Sequence, residues 1–178
     1  APVGYDSEPR PLPIPPVLKG EMEGDTRVFK LTAQDGYSEV IPGNKNTRTW
    51  GFNGPFLGPT LRAHKGDKVR AEITNNLVEM TTVHWHGMKL PAYSDGGPHS
   101  PIEVGKTWKP QWEIVQPAAT VWYHPHPHMA TATHAYRGLA GMFILDDDVS
   151  DKLDIPSEYG VDDIPVVIMD AKFTEDGQ

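Results

Sequence analysis

The chain reads as a succession of short alternations of apolar and polar residues, divided by turn residues. In Lys68-Val69-Arg70-Ala71-Glu72-Ile73 every second side chain is apolar, the period of a strand with one face on a core and the other in water. Comparable runs, rich in β-branched and aromatic residues, lie at 26–34, 38–41, 47–52, 60–64, 67–75, 81–87, 107–115, 119–124, 139–145 and 164–170, with Gly, Pro or Asn between them. Strands this frequent predict an all-β sandwich or barrel of antiparallel, Greek-key type. Only 129–136 (MATATHAY) and a turn near 157–159 have helical character, and neither is long enough to change the class.

The same pattern divides the chain. Residues 1–24 are Pro-rich, as in PLPIPPVLKG, which predicts an extended arm lying on a surface. One domain then fills 25–148, and the acidic, aperiodic stretch 149–163 reads as a linker. The last segment, DIPVVIMDAKFTEDGQ (164–178), opens with a strand of the fully buried kind, which needs a sheet to join. That sheet is expected to come from polypeptide outside these 178 residues.

Composition narrows the partners. Pro 18 and Gly 17 agree with many turns. The net charge of −8, without a basic block, excludes a nucleic-acid backbone as the partner. There is no Cys, so neither disulfides nor thiolate metal sites are available. No apolar run approaches the roughly 20 residues of a membrane span. Ala1-Pro2-Val3 resembles a chain after removal of a signal peptide, so an exported protein, periplasmic or extracellular, is expected.

Candidate chemistry sits in the histidines. Five of the 8 fall in two clusters, His84-Trp85-His86-Gly87 and His124-Pro125-His126-Pro127-His128. In an extended chain, residues i and i+2 project to one side, about 6.6–7 Å apart. That spacing is wide for gripping one ion and suits a pair reaching two neighbouring metals. Two such pairs on adjacent strand ends can converge on one cluster. Pro125 and Pro127 fix φ near −65° and donate no ladder hydrogen bond, so the second segment leaves its sheet as a stiff rod. Imidazole ligation without thiolate suits Cu, Zn, Fe or Ni, with copper and zinc foremost. His84, His86, His124 and His126 are therefore the expected metal ligands, and His128 a supporting residue. His64, His99 and His134 read as surface or hydrogen-bonded core histidines.

HWHG at 84–87, DGGP at 95–98, WYHPHPH at 122–128 and GLAGMFIL at 138–145 stand in the order and spacing of the first domain of multicopper oxidases. NGPFLGPTLRAHKGDKVRAEITNNL (53–77) is similar to the stretch before that family's first histidine motif. The likeness is to bacterial laccase-like enzymes of the cuprous oxidase and bilirubin oxidase kind, and it covers the chain from about residue 25 onward. It implies a cupredoxin-like sandwich. It also implies that His84 is a ligand of the type 2 copper, that His86 and His124 serve a type 3 copper, and that His126 serves the other type 3 ion. Asp95 would help deliver protons to O2 as it is reduced, although Ser-Asp-Gly-Gly-Pro is also good turn chemistry.

By the same resemblance, 164–178 is the first strand of a following cupredoxin-like domain, and the remaining cluster ligands and the Cys-containing type 1 copper, which takes electrons from a small reducing substrate, belong to later domains of the same enzyme. Two other readings stay open on the residues alone. One is a non-catalytic sandwich that stores or shuttles copper or zinc, and the other is a structural module with vacant histidines.

Overall fold

A computed structural model describes residues 11–43 and 47–178. Among the described residues, eleven strands form two sheets. The first sheet contains β1 (Val17–Leu18), β5 (Thr60–His64), β11 (Gly141–Asp146), β10 (Ala119–His124) and β7 (His84–His86), in that spatial order. The second is built on β3 (Thr26–Ser38) and β6 (Lys68–Asn75). Around them lie β2 (Glu21–Glu23), β4 (Thr47–Phe52), β8 (Thr107–Trp108) and β9 (Gln111–Glu113). The one α-helix among the described residues, α1 (Thr131–Tyr136), falls inside the predicted 129–136 stretch.

The all-β sandwich expected from the sequence is the observed fold. Its alternation is visible in β6, where Val69, Ala71 and Ile73 are buried while Lys68 faces water. These side chains meet Phe29, Leu31, Trp85, Tyr123 and Phe143 in one core between the sheets. The phenol of Tyr123 is wholly buried and donates to the Pro59 carbonyl at 2.7 Å. A bidentate Arg62–Asp146 pair, at 2.6 and 2.9 Å, ties β5 to β11.

Several boundaries differ from the sequence expectation. The pairs β1/β5, β5/β11 and β3/β6 are parallel, so the sheets are mixed and not purely antiparallel. Parallel neighbours need a crossover connection, and each of these three pairs is joined by chain that passes through the other sheet. The expected arm over 1–24 is corrected where it can be followed, because β1 pairs with β5 and β2 with β3, tying that stretch into both sheets. Its first ten residues lie outside the described ones. The 107–115 run divides into β8 and β9 at Lys109-Pro110, since proline cannot donate to the ladder.

The 81–87 run is a strand only over β7, and 38–41 contributes no strand beyond the end of β3. Within 149–163, Tyr159 docks its hydroxyl on the Pro15 carbonyl and on Thr60 Oγ1. Residues 164–170 join no ladder in this chain, and Val166 and Ile168 are exposed there.

Candidate metal centre

Strands β7 and β10 are antiparallel neighbours with Trp122 opposite His86, Tyr123 opposite Trp85 and His124 opposite His84. The Trp85 and Tyr123 side chains are 1% and 0% exposed and point into the core. Because side chains alternate across a sheet, the flanking His84, His86, Trp122 and His124 must project to the other face. Burying two aromatic rings thus forces three imidazoles onto one outward patch. Their ring centroids are 5.7 Å apart for His84–His86, 5.4 Å for His84–His124 and 5.3 Å for His86–His124.

His126 follows once the chain has left β10. Pro125 and Pro127 are buried while His126 and His128 are exposed, so the proline–histidine alternation lays the rod on the protein with its imidazoles outward. The His126 amide donates to Thr82 Oγ1 at 2.6 Å, which fixes the rod beside the residues leading into β7. Its ring lies 5.5 Å from that of His84 and 6.2 Å from that of His124.

The hydrogen bonds determine which nitrogens are free. A carbonyl only accepts, so His84 Nδ1 donates to the Asp95 carbonyl at 2.8 Å, and His124 Nδ1 donates to the Pro125 carbonyl at 2.8 Å. Each neutral ring therefore presents its Nε2 lone pair. His86 Nδ1 lies 3.1 Å from His124 Nε2 and must donate to it, which leaves His86 Nε2 free as well. Imidazoles oriented through their second nitrogen by main-chain carbonyls are the usual arrangement of metal-ligating histidines.

One ring nitrogen from each of His84, His86 and His124 lies within 4.8 Å of the other two. The rings lean together beyond the straight-strand estimate, so these three can also meet around a single ion. Burial, assisted by the neighbouring imidazoles of His84, His86 and His126, pushes the His124 pKa down from 6.5 to about 4, against the raising effect of its Pro125 hydrogen bond. This ring is accordingly neutral and able to ligate at ordinary pH. An all-imidazole donor set without thiolate fits copper.

Asp95 closes a 3-10 turn over Ala92–Ser94. Its carboxylate Oδ1 stands 3.4 Å from His84 Nδ1, half-exposed, at the rim between solvent and the imidazoles. The next residue, Gly96, has φ +74°, and a Cβ there would lie 1.7 Å from the Val83 carbonyl oxygen. Only glycine permits the Asp95 turn to close on the strand that carries His84.

The other histidines are accounted for separately. His134 is buried, with Nδ1 2.9 Å from Thr81 Oγ1 and Nε2 2.8 Å from the Glu79 carboxylate, and it packs edge-on against Trp50. Its role is to tie α1 to the approach to β7. His64 pairs with Asp151 at 3.1 Å on the surface, where the Lys65 carbonyl and then Asp151 raise its pKa. His99 and His128 are exposed. Sequence reasoning passed over Thr82, Gly96 and Trp122. The paired threonines ahead of HWH and the glycine after Asp95 were the available signals.

The profile of the multicopper oxidase family matches residues 34–150. The chain belongs to that family. It is 43% identical over 163 residues to "Multicopper oxidase mco" of Staphylococcus aureus, covering 91% of this chain and 36% of the relative. It is also 40% identical over 168 residues to "Cell division protein FtsP" of Escherichia coli K12, covering 94% of this chain and 35% of the relative. Among solved structures, the laccase-like multi-copper oxidase CueO of Ochrobactrum sp. superposes with a TM-score of 0.82 at 41% identity, over 87% of this chain and 34% of that one. McoA of Aquifex aeolicus gives 0.84 at 35% identity, over 97% and 38%. The chain therefore spans about a third of the length of the relatives it matches. No helix among the described residues is long and apolar enough to cross a membrane.

Proposed function

We propose that this chain supplies His84, His86, His124 and His126 to a trinuclear copper site of an oxidase, as half of its histidine ligands. Electrons would come from a small reducing substrate through a type 1 copper elsewhere in the same enzyme. Bound copper would supply the one-electron chemistry by which O2, four electrons and four protons become two waters. The observation that supports the reading is the convergence of His84, His86 and His124, with main-chain carbonyls holding the Nδ1 atoms of His84 and His124 so that the Nε2 lone pairs of those two rings face their neighbours.

This chain's own residues would act as follows. His84 and His124 keep fixed tautomers, so metal loading needs no proton rearrangement at either ring. The buried prolines hold His126 in place with little reorganisation. The Asp95 carboxylate, at the solvent rim 3.4 Å from His84, would pass protons inward. His84 would serve the type 2 ion, His86 and His124 one type 3 ion, and His126 the other.

The relative from Ochrobactrum sp. is described with oxidase activity towards lignin model compounds and lignosulfonate, and phenolic reductants are the first substrates to try here. Export to the periplasm or the cell exterior belongs to this reading and is checked by fractionation. A relative described as a cell division protein matches as well, so the proposal rests on the imidazoles and not on the family alone.

The test uses the whole protein that carries this chain. It is expected to hold copper after dialysis, to show both type 1 and type 2 paramagnetic signals, and to consume O2 when given a phenol, Cu(I) or Fe(II). His84→Ala and His126→Ala should each lower the copper content and abolish O2 uptake. Uptake at the wild-type rate in both variants would sink the proposal.

A further inference from the structure

We infer that Trp122 is a positioning residue for the imidazoles, setting His86 above all, and this rests on the reading that those imidazoles hold copper. The register of β7 and β10 puts Trp122 opposite His86 and His124 opposite His84, so four rings form a two-by-two block on the outer face. Trp122 occupies the one corner that offers no lone pair to a metal, since an indole N–H only donates.

Its contacts differ in kind from those that His84 makes with its neighbours. The indole stacks on His124 at 4.1 Å and 29°, and on His86 at 5.0 Å and 28°. The histidine pairs His84–His86 and His84–His124 meet edge-on, at 63° and 77°. One flat surface thus lies along two ligand rings at once.

The need for it is greatest at His86. His84 and His124 are each anchored by a main-chain carbonyl. The Nδ1 of His86 bonds instead to His124 Nε2, the atom that His124 must give to a metal. When that nitrogen ligates, His86 loses its hydrogen-bond partner, and the indole face is what still fixes its ring. Trp122 remains 42% exposed, so burial gives little reason for an indole at this place. Its edge does help to wall an apolar cavity of about 540 Å³ with Val121, Tyr136 and Met142. A residue that only walled that cavity could be replaced by leucine without effect on His86.

The experiment compares Trp122→Leu and Trp122→Phe with wild type in the whole protein, by two readouts. The first is copper affinity from equilibrium dialysis against a competing chelator. Leucine should weaken it about tenfold, the scale of losing a group that orients a ligand, and phenylalanine, which retains a ring, should restore most of it. The second is the imidazole 15N shifts of His86 in copper-free protein: without the indole face the ring is free to turn away from His124 Nε2, so the shifts should move toward a tautomer average with leucine and stay near wild type with phenylalanine. Unchanged affinity and unchanged His86 shifts in Trp122→Leu overturn the inference. If wild type itself fails to bind copper, the functional reading falls, while the copper-free shifts still decide whether Trp122 orients His86.

Discussion

Replacing Gly96 by alanine should damage both the fold and the site, by an amount the structure allows one to estimate. The new Cβ would lie 1.7 Å from the Val83 carbonyl oxygen, roughly 1.6 Å inside an ordinary C···O separation. A left-handed alanine costs about 1–2 kcal/mol, and forcing backbone apart in a packed region adds about 1–3. The narrower unfolded ensemble of alanine returns about 0.4–1. A net loss of about 2–4 kcal/mol follows, or about 5–15 °C in melting temperature for a chain of this size.

Gly105→Ala is the matched control, having the same φ of +74° with nothing within 4 Å of its Cβ. It should lose only about 1 kcal/mol, because the backbone strain is present without the clash. Gly96 adjoins Asp95, whose carbonyl holds His84, and Val83 adjoins His84 itself. A shift of either backbone therefore breaks the 2.8 Å contact that sets this imidazole, and copper affinity should fall about 10–100-fold in Gly96→Ala alone. Thermal melts and chelator competition on both variants measure the two effects. If Gly96→Ala melts no lower than Gly105→Ala, the close approach of the turn to the strand is not what glycine is for.

Three further outcomes are expected. The unfolded His124 titrates near 6.5 and the folded one near 4, so the unfolded chain binds more protons between those values. Copper-free stability should be full above about pH 6.5, fall by at most about 3 kcal/mol toward pH 4 and then flatten; urea midpoints that are level across that range contradict the burial argument. Thr82→Val leaves the His126 amide without its acceptor and should cost about 1–3 kcal/mol together with part of the copper affinity; a variant as stable and as tight as wild type denies that this bond holds the rod. Asp95→Asn retains the carbonyl that anchors His84 but removes the acid, so copper content should persist while O2 turnover slows about 10²–10⁴-fold; loss of copper with the rate per bound copper unchanged would reassign Asp95 to a purely structural role.

The strand pattern was legible wherever one face met the core and the other met water, as in β6 and β10, because a period of two is written directly into the order of residues. What escaped was what depends on partners distant in the chain. Val17–Leu18 looks like part of an unstructured Pro-rich arm until β5 is beside it. The parallel pairs follow from crossings between layers that no local pattern encodes.

At the site, the two alternating histidine clusters marked the residues that converge, since their spacing already implied projection to a common side. The tautomers could not be read in that way. They depend on the carbonyls of Asp95 and Pro125, and a carbonyl leaves no mark in the choice of side chain. Trp122 stands within WYHPHPH, but its place against His86 depends on the register between strands.

The pairing of β7 with β10 bears on when a metal can first be captured. His86 and His124 are 38 residues apart in sequence and meet only after Trp85 and Tyr123 have packed face-inward between them and the opposite sheet. A nascent or partly collapsed chain therefore holds histidine pairs but no assembled nest for an ion. Copper held by these imidazoles would then be a late guest of a finished scaffold and not a nucleus around which the scaffold forms. An apo protein of native shape would accordingly be an ordinary stage in maturation, with the imidazoles already side by side before any metal reaches them.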